Sequence, residues 1–293
     1  MGHKAAYRLV LLLLIIVAAG YCLGGMELKT HESTIRAALN EEERTLPVIM
    51  YHAILKDSSR SGKFVVTPDQ FEKDMRYLLE QGYQTVHIAD LIAYVDNQAD
   101  LPEKPIMVTF DDGYYNNYLY VFPIIKELNI KIVLSPIAKY SQIYTEKGEH
   151  NAYYTHITWP MAQEMVQSGL VELQNHSYDM HASSGKRSGA HKMKGESTQQ
   201  YQEALRTDLK RADDLLRANT GVAPTAFTYP FGSVSYDSYP VIKELGYRAS
   251  LSCEAGINTI RRGDPECLYM LKRNNRPSGD TAESYFKGIF KTQ

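Results

Sequence analysis

Between residue 47 and the C-terminal region, short apolar runs alternate with stretches of helical period. That alternation confines the chain to folds built on parallel strands joined by helices. The apolar runs fall at 47–52, 83–86, 106–110, 131–134, 170–174, 226–229, 247–251 and 268–271. Helical stretches fall at 89–95, 118–128, 160–168, 197–219, 238–245 and 282–290, with Pro123 expected to kink the second of these. An earlier helix starts at Thr67-Pro68-Asp69, where a cap residue, a first-turn proline and an acid near the positive helix end coincide. Its apolar face would be Phe71, Met75, Leu78 and Leu79; the long 197–219 helix would turn Leu205, Leu209, Leu215 and Leu216 inward. Roughly eight strands, with no linker-like composition after residue 47, predict a single α/β domain over 47–293, a (β/α) barrel, complete or distorted. A doubly wound open sheet competes with it, but no glycine-rich phosphate loop accompanies that reading.

The run Ile106-Met107-Val108-Thr109-Phe110 ends in Asp111-Asp112-Gly113. Strand ends are where ligands and catalysis gather in α/β folds. Two adjacent carboxylates repel unless a cation or a shared proton separates them. A metal held by one aspartate, with the other left as a base, resolves the repulsion; a solvated Asp-Asp-Gly turn is the plainer alternative. A second constellation follows a later strand: Asn175-His176-Ser177-Tyr178-Asp179-Met180-His181. Two histidines five apart cannot share a helical face, but on a loop they can converge. Two imidazoles and one carboxylate with open positions form a zinc-type catalytic site. A third, Phe227-Thr228-Tyr229-Pro230-Phe231-Gly232, sets a turn at another strand end, whose backbone N–H groups could face an oxyanion.

Composition narrows the function classes. A net charge of −2 over 293 residues, with no basic stripe, gives no support to a nucleic-acid partner. The 22 tyrosines suit sugar rings and half-buried core positions equally. Lys4 and Arg8 precede an uncharged run over 9–26, which at about 1.5 Å per residue barely spans a hydrocarbon core of about 30 Å. Positive charge before the run and Glu27 and Glu32 after it place the amino terminus in the cytoplasm and the rest outside. Small residues at Val17-Ala18-Ala19 leave a cleaved signal peptide as the alternative to an uncleaved membrane anchor. Residues 27–46 read as a polar spacer. Cys253 and Cys267 are open to two readings, a disulfide or two separate thiols.

Taken in order, Thr109-Phe110-Asp111-Asp112-Gly113, His176 with His181, and Tyr229-Pro230-Phe231-Gly232 resemble the polysaccharide deacetylase family, carbohydrate esterase family 4 with its NodB homology domain. The resemblance implies a distorted (β/α) barrel and metal-dependent removal of N-acetyl groups from amino-sugar polysaccharide, peptidoglycan or exported poly-N-acetylglucosamine. It implies Asp111 as general base, Asp112, His176 and His181 as ligands of a divalent metal, usually zinc, and Tyr229 to Gly232 as the substrate and oxyanion wall. Two positions depart from the family pattern: Thr228 stands where an arginine is usual, and no late Leu-x-His follows His191. Ile49-Met50-Tyr51-His52 resembles the early strand of the circularly permuted poly-N-acetylglucosamine deacetylase subgroup, which implies His52 as the general acid. A catalytically silent glycan-binding or assembly protein and an O-acetyl esterase are the competing functions.

Overall fold

Strands that are apolar on both faces must be covered on both faces, and parallel pairing with helical crossovers achieves this. The computed structural model describes residues 42–182 and 187–291. The membrane segment expected at 1–26 and all but the end of the 27–46 spacer lie outside the described residues. Among the described residues no helix is long and apolar enough to cross a membrane.

The chain runs β1 (Glu43–Tyr51), β2 (Ala53–Ile54), β3 (Val65–Val66), α1 (Pro68–Glu80), β4 (Gln84–Thr85), α2 (Ile88–Val95) and β5 (Pro105–Asp112). It continues α3 (Phe122–Leu128), β6 (Ile132–Pro136), α4 (Ala138–Lys147), α5 (Trp159–Gln167), β7 (Val171–Leu173) and α6 (Thr198–Thr220). Last come β8 (Ala226–Thr228), α7 (Tyr239–Glu244), β9 (Ala249–Leu251), β10 (Ile257–Arg261), β11 (Asn274–Asn275) and α8 (Ala282–Phe290). Parallel pairing joins β1 to β5, β5 to β6 and β6 to β7. A single bridge, Asn175 to Phe227, carries it to β8, which pairs with β9. A bridge from Leu251 to Leu271 and the pairing of β11 with β1 close the circuit. This mixed α/β fold on parallel strands is consistent with a (β/α) barrel whose continuity on one side rests on single bridges.

Alternation along the strands separates two apolar clusters. Ile49, Tyr51, Val108, Phe110, Ile132, Leu134 and Leu173 pack outward with Phe71 and Met75 of α1 and Phe286 of α8. Val48, Met107, Val133, Ala226, Ala249, Leu251 and Leu271 face the other way, into the ring, where Leu91 and Tyr94 of α2 join them. Continuing the same parity past Met107 brings Thr109 and Asp111 to the inner side, at the C-terminal mouth.

Several elements differ from the sequence expectation. The expected strand at 268–271 is a 3-10 turn, Pro265–Leu268, capped by Asp264, and only Leu271 bridges. The strand that completes the circuit is β11, whose two asparagines carry no apolar signal. Strand β10 carries little apolar signal because one of its two buried residues is Asn258, the other being Ile260. Helix α4 buries only Ala138 and Ser141, too little to show a helical stripe. In α1 the Thr67 side chain accepts from the Gln70 N–H as expected, but Leu79 is exposed and the fourth buried position is Asp74. Pro123 does disturb its helix, as a π-helical turn over Asn117–Val121 precedes α3. Cys253 and Cys267 are free thiols.

Asp74 is buried because Arg276 donates to both of its oxygens, at 2.8 and 2.9 Å, and the Tyr51 hydroxyl donates at 2.9 Å. The pair ties α1 to the chain just after β11. Removing one partner of a buried ion pair strands the other charge. Asp74→Ala is expected to lower the unfolding free energy by about 3–5 kcal/mol in urea titrations, with Asp74→Ala/Arg276→Met regaining much of the loss.

Candidate active site

Asp111 and Asp112 end β5, His52 follows β1, His176 follows β7, Phe231 follows β8, and Cys253 follows β9. All therefore stand at the C-terminal ends of strands, around a cavity of ≈480 Å³ that His52, Phe64, Tyr114, His176, His181 and Phe231 line with the two aspartates. Strand ends supply reach; three left-handed residues supply aim. Asp112 (φ 69), Ser177 (φ 74) and Phe231 (φ 57) each occupy a conformation unfavourable for a side-chain-bearing residue. At Asp112 the consequence is direct: parity alone would send it outward with Phe110, and the left-handed twist turns it to the mouth. Gly113 (φ 71) must be glycine, since a Cβ there would lie 2.7 Å from that of Pro136.

The two adjacent carboxylates, both buried, are neutralised in different ways. Arg273 donates from Nη1 to Asp111 Oδ1 at 2.6 Å and from Nη2 to Oδ2 at 2.8 Å, while its Nε holds the Ser252 carbonyl at 2.7 Å. Burial pushes the Asp111 carboxyl up, but Arg273 together with His176 and His52 outweighs it and holds the group below the usual carboxylate range. Asp111 is thus an anion with both oxygens fixed.

Asp112 has no such partner. Its Oδ1 is buried without a hydrogen bond, 3.1 Å from His181 Nε2 and 3.5 Å from His176 Nε2. His176 Nδ1 lies 2.8 Å from the Thr228 carbonyl oxygen, which can only accept. Nδ1 therefore carries a proton, and Nε2 is the atom turned towards the Asp112 oxygen; burial lowers the pKa of this imidazole, but Asp112 and Asp111 raise it overall. With Nε2 unprotonated, the two rings and the carboxylate present three lone-pair donors to a single point. One ligand atom from each of Asp112, His176 and His181 lies within 4.8 Å of the others, so the three fit a divalent metal.

The remaining expected residues divide. His52 lies across the cavity, its ring 4.7 Å from that of Phe64 and its Nδ1 buried without a partner. Burial lowers the pKa of this imidazole, although Asp111 and Asp112 push it up. Phe231 is half exposed, its ring 4.4 Å from that of His181. Tyr229 points away: it is fully buried and its hydroxyl meets Ser238 Oγ at 2.6 Å. The Tyr229 and Gly232 N–H groups donate to Leu251 and Tyr229 carbonyls, and Pro230 has no N–H. That leaves the N–H of Phe231 as the donor the turn can offer.

Arg273 was the functional residue missed from sequence. Thr228, where an arginine is usual in the family, is occupied with Ser135, at 2.8 Å between hydroxyls. The guanidinium comes instead from the late segment after Leu271. A signal existed in that substitution, because a paired-carboxylate strand end with no nearby arginine needs one from elsewhere.

A family model described as polysaccharide deacetylase matches residues 98–250, more than half of the chain. The chain belongs to the polysaccharide deacetylase family. Among curated proteins it is similar to the poly-beta-1,6-N-acetyl-D-glucosamine N-deacetylase of Escherichia coli (strain K12), with 25% identity over 246 residues, 77% of this chain and 36% of that one. It is similar to the protein of the same name from Staphylococcus aureus (strain MRSA252), with 24% identity over 276 residues, 90% of this chain and 91% of that one. The chain thus spans little more than a third of the Escherichia coli relative. The fold is like that of the de-N-acetylase from Aggregatibacter actinomycetemcomitans, with a TM-score of 0.70 and 22% identity over 84% of this chain and all of the other. The matched span contains both aspartates, both site histidines and the Phe231 turn, whereas His52 and Arg273 lie outside it.

The Asp111–Arg273 pair gives a signed pH prediction. A carboxyl with a depressed folded pKa contributes stability above its unfolded pKa, and loses it as pH falls through the folded value. In Arg273→Gln burial acts unopposed by the guanidinium, the Asp111 pKa rises, and ionisation then costs stability as pH rises. The stability deficit of Arg273→Gln relative to the parent is expected to widen between about pH 3 and pH 7 in denaturant titrations, reaching about 3–5 kcal/mol. A pH-independent deficit would show that the pair is not what sets the ionisation of Asp111.

Proposed function

We propose that the chain is a metal-dependent N-deacetylase acting on poly-β-1,6-N-acetylglucosamine outside the cytoplasmic membrane, held there by the apolar 9–26 segment. The observation that carries this reading is the division of labour between adjacent aspartates. One turns an oxygen without a hydrogen bond to two imidazoles, and the other is held ionised by Arg273 on the same cavity. The names of the similar proteins support the glycan; the charge pattern around residues 9–26 supports the location. The ring of parallel pairings supports the distorted barrel that the resemblance implies.

Asp112, His176 and His181 would hold the metal, and two imidazoles with one carboxylate favour zinc. Bound there, a divalent cation supplies Lewis acidity, polarising the amide carbonyl and making water more acidic. Asp111 takes the proton of the attacking water. Arg273 occupies one lone pair on each of its oxygens, and the others stay free for that water. The Phe231 N–H donates to the oxyanion as the carbonyl carbon becomes tetrahedral. His52 gives a proton to the departing sugar amine, which is otherwise a poor leaving group. Its lowered pKa makes the protonated ring a stronger acid.

Incubation with N-acetylated β-1,6-linked glucosamine oligomers and Zn²⁺ is expected to release acetate, and a chelator should stop the release. Asp111→Asn should lower turnover by at least about 100-fold while the chain still binds Zn²⁺. Normal turnover in that variant would remove Asp111 as the base, and absence of acetate from the parent chain would favour a silent glycan-binding protein.

A further inference from the structure

His176 is fixed by the end of β7 and by the Thr228 carbonyl, but His181 lies five residues on, along a loop. The His181 ring touches the His176 ring, the Phe231 ring and Asp112, whose Oδ1 lies 3.1 Å from its Nε2. Its place is therefore set by the course of residues 177–180. That course is a left-handed turn at Ser177 in which every backbone N–H is engaged. The Ser177 N–H donates to Asn175 Oδ1 at 2.6 Å and the Met180 N–H to Ser177 Oγ at 3.1 Å. The two between them leave the loop altogether. Tyr178 N–H donates to Asp208 Oδ1 at 2.8 Å and Asp179 N–H to Asp208 Oδ2 at 2.9 Å.

Asp208 is on α6, on the opposite side of the loop from the cavity, and is the one side chain whose two oxygens clamp consecutive amides of the histidine loop. Burial, with the Asp179 carboxylate nearby, raises the pKa of its carboxyl against the two amides and Arg211, which pull it down. On the loop's other flank, the N–H groups of Ala138 and Lys139, opening α4, donate to the Ser177 and Tyr178 carbonyls at 3.2 and 3.3 Å. The loop is thus gripped from both sides through its backbone, and His181 at its end reaches the cavity.

We infer that Asp208 is a positioning residue for metal binding: its carboxylate sets the turn that delivers His181 to Asp112 and His176. The inference rests on the reading of those three as metal ligands. Asparagine is the informative replacement, since it keeps the shape but offers one acceptor where two amides need one each. Residues that orient ligands without touching the metal typically change affinity by about 10–100-fold.

The test is Zn²⁺ affinity of the metal-free full chain, by competition with a chromophoric chelator, with the visible spectrum of the Co²⁺-loaded chain as a report on ligand geometry. Asp208→Asn is expected to bind Zn²⁺ about 10–100-fold more weakly with an altered Co²⁺ spectrum. Asp214→Asn is the control: an exposed acid of the same helix, paired with Lys210, which should leave both unchanged. Parent-like affinity and spectrum in Asp208→Asn overturn the inference. If Asp208→Asn does not fold, Asp208→Glu decides: weaker binding than the parent supports the role, and parent affinity overturns it. Failure of the parent chain to bind Zn²⁺, or unchanged affinity in Asp112→Asn, overturns the metal reading itself and this inference with it.

Discussion

Two buried carboxylates on consecutive residues cannot share one fate, and the structure separates them. Asp111 is neutralised inside the protein by a bidentate guanidinium, whereas the free oxygen of Asp112 faces two imidazole nitrogens. The first arrangement is a closed ion pair; the second brings one carboxylate oxygen and two imidazole nitrogens to a common point that fits a cation. This difference in environment underlies the distinct roles proposed for two neighbours of identical chemistry, as carboxylate pairs in unlike environments generally have. The rest of the mouth is arranged around it: Arg273 reaches in from the late segment, Thr228 fixes the His176 tautomer through its carbonyl, and Phe64 and Phe231 lie against His52 and His181.

The site also stores backbone strain. Asp112, Ser177 and Phe231 are three of six non-glycine residues with positive φ among the described residues. Each such conformation costs of order 1–3 kcal/mol and persists only where the surroundings impose it. Here they do. The Ile137 N–H bonds the Asp112 carbonyl at 3.2 Å, Asp208 and Asn175 fix the turn around Ser177, and Gly189 approaches Phe231 so closely that a Cβ would be 3.2 Å from its ring. The strain lies where side chains must be aimed off the strand direction, and the packed strands beneath provide the rigidity.

Much of this was legible in the sequence because it followed from local chemistry. Proline and cap residues opened α1, leucine spacing marked α6, and α8 falls at the expected 282–290. Asp112, His176 and His181 were singled out by residue type at strand ends, and their ligand atoms do converge. What was hidden depends on partners far along the chain. Asp74 reads as a solvated helical acid until Arg276 is placed beside it, 202 residues later. Arg273 reads as a surface charge until the ring of strands brings it to Asp111. Tyr229 was grouped with its turn, although strand parity sends its ring to the core. β11 is short and polar, and only the closure of the ring identifies it as a strand.

The most direct measurement is X-ray absorption at the zinc edge of the metal-loaded full chain, which reports ligand type without reference to activity. The account predicts a shell of nitrogen and oxygen at about 2.0–2.1 Å with the outer scattering of two imidazoles, lost when His176 and His181 are both replaced by alanine. A sulfur shell at about 2.3 Å, which would point to Cys253 on the same cavity, or a shell of water oxygens without imidazole scattering, would contradict it.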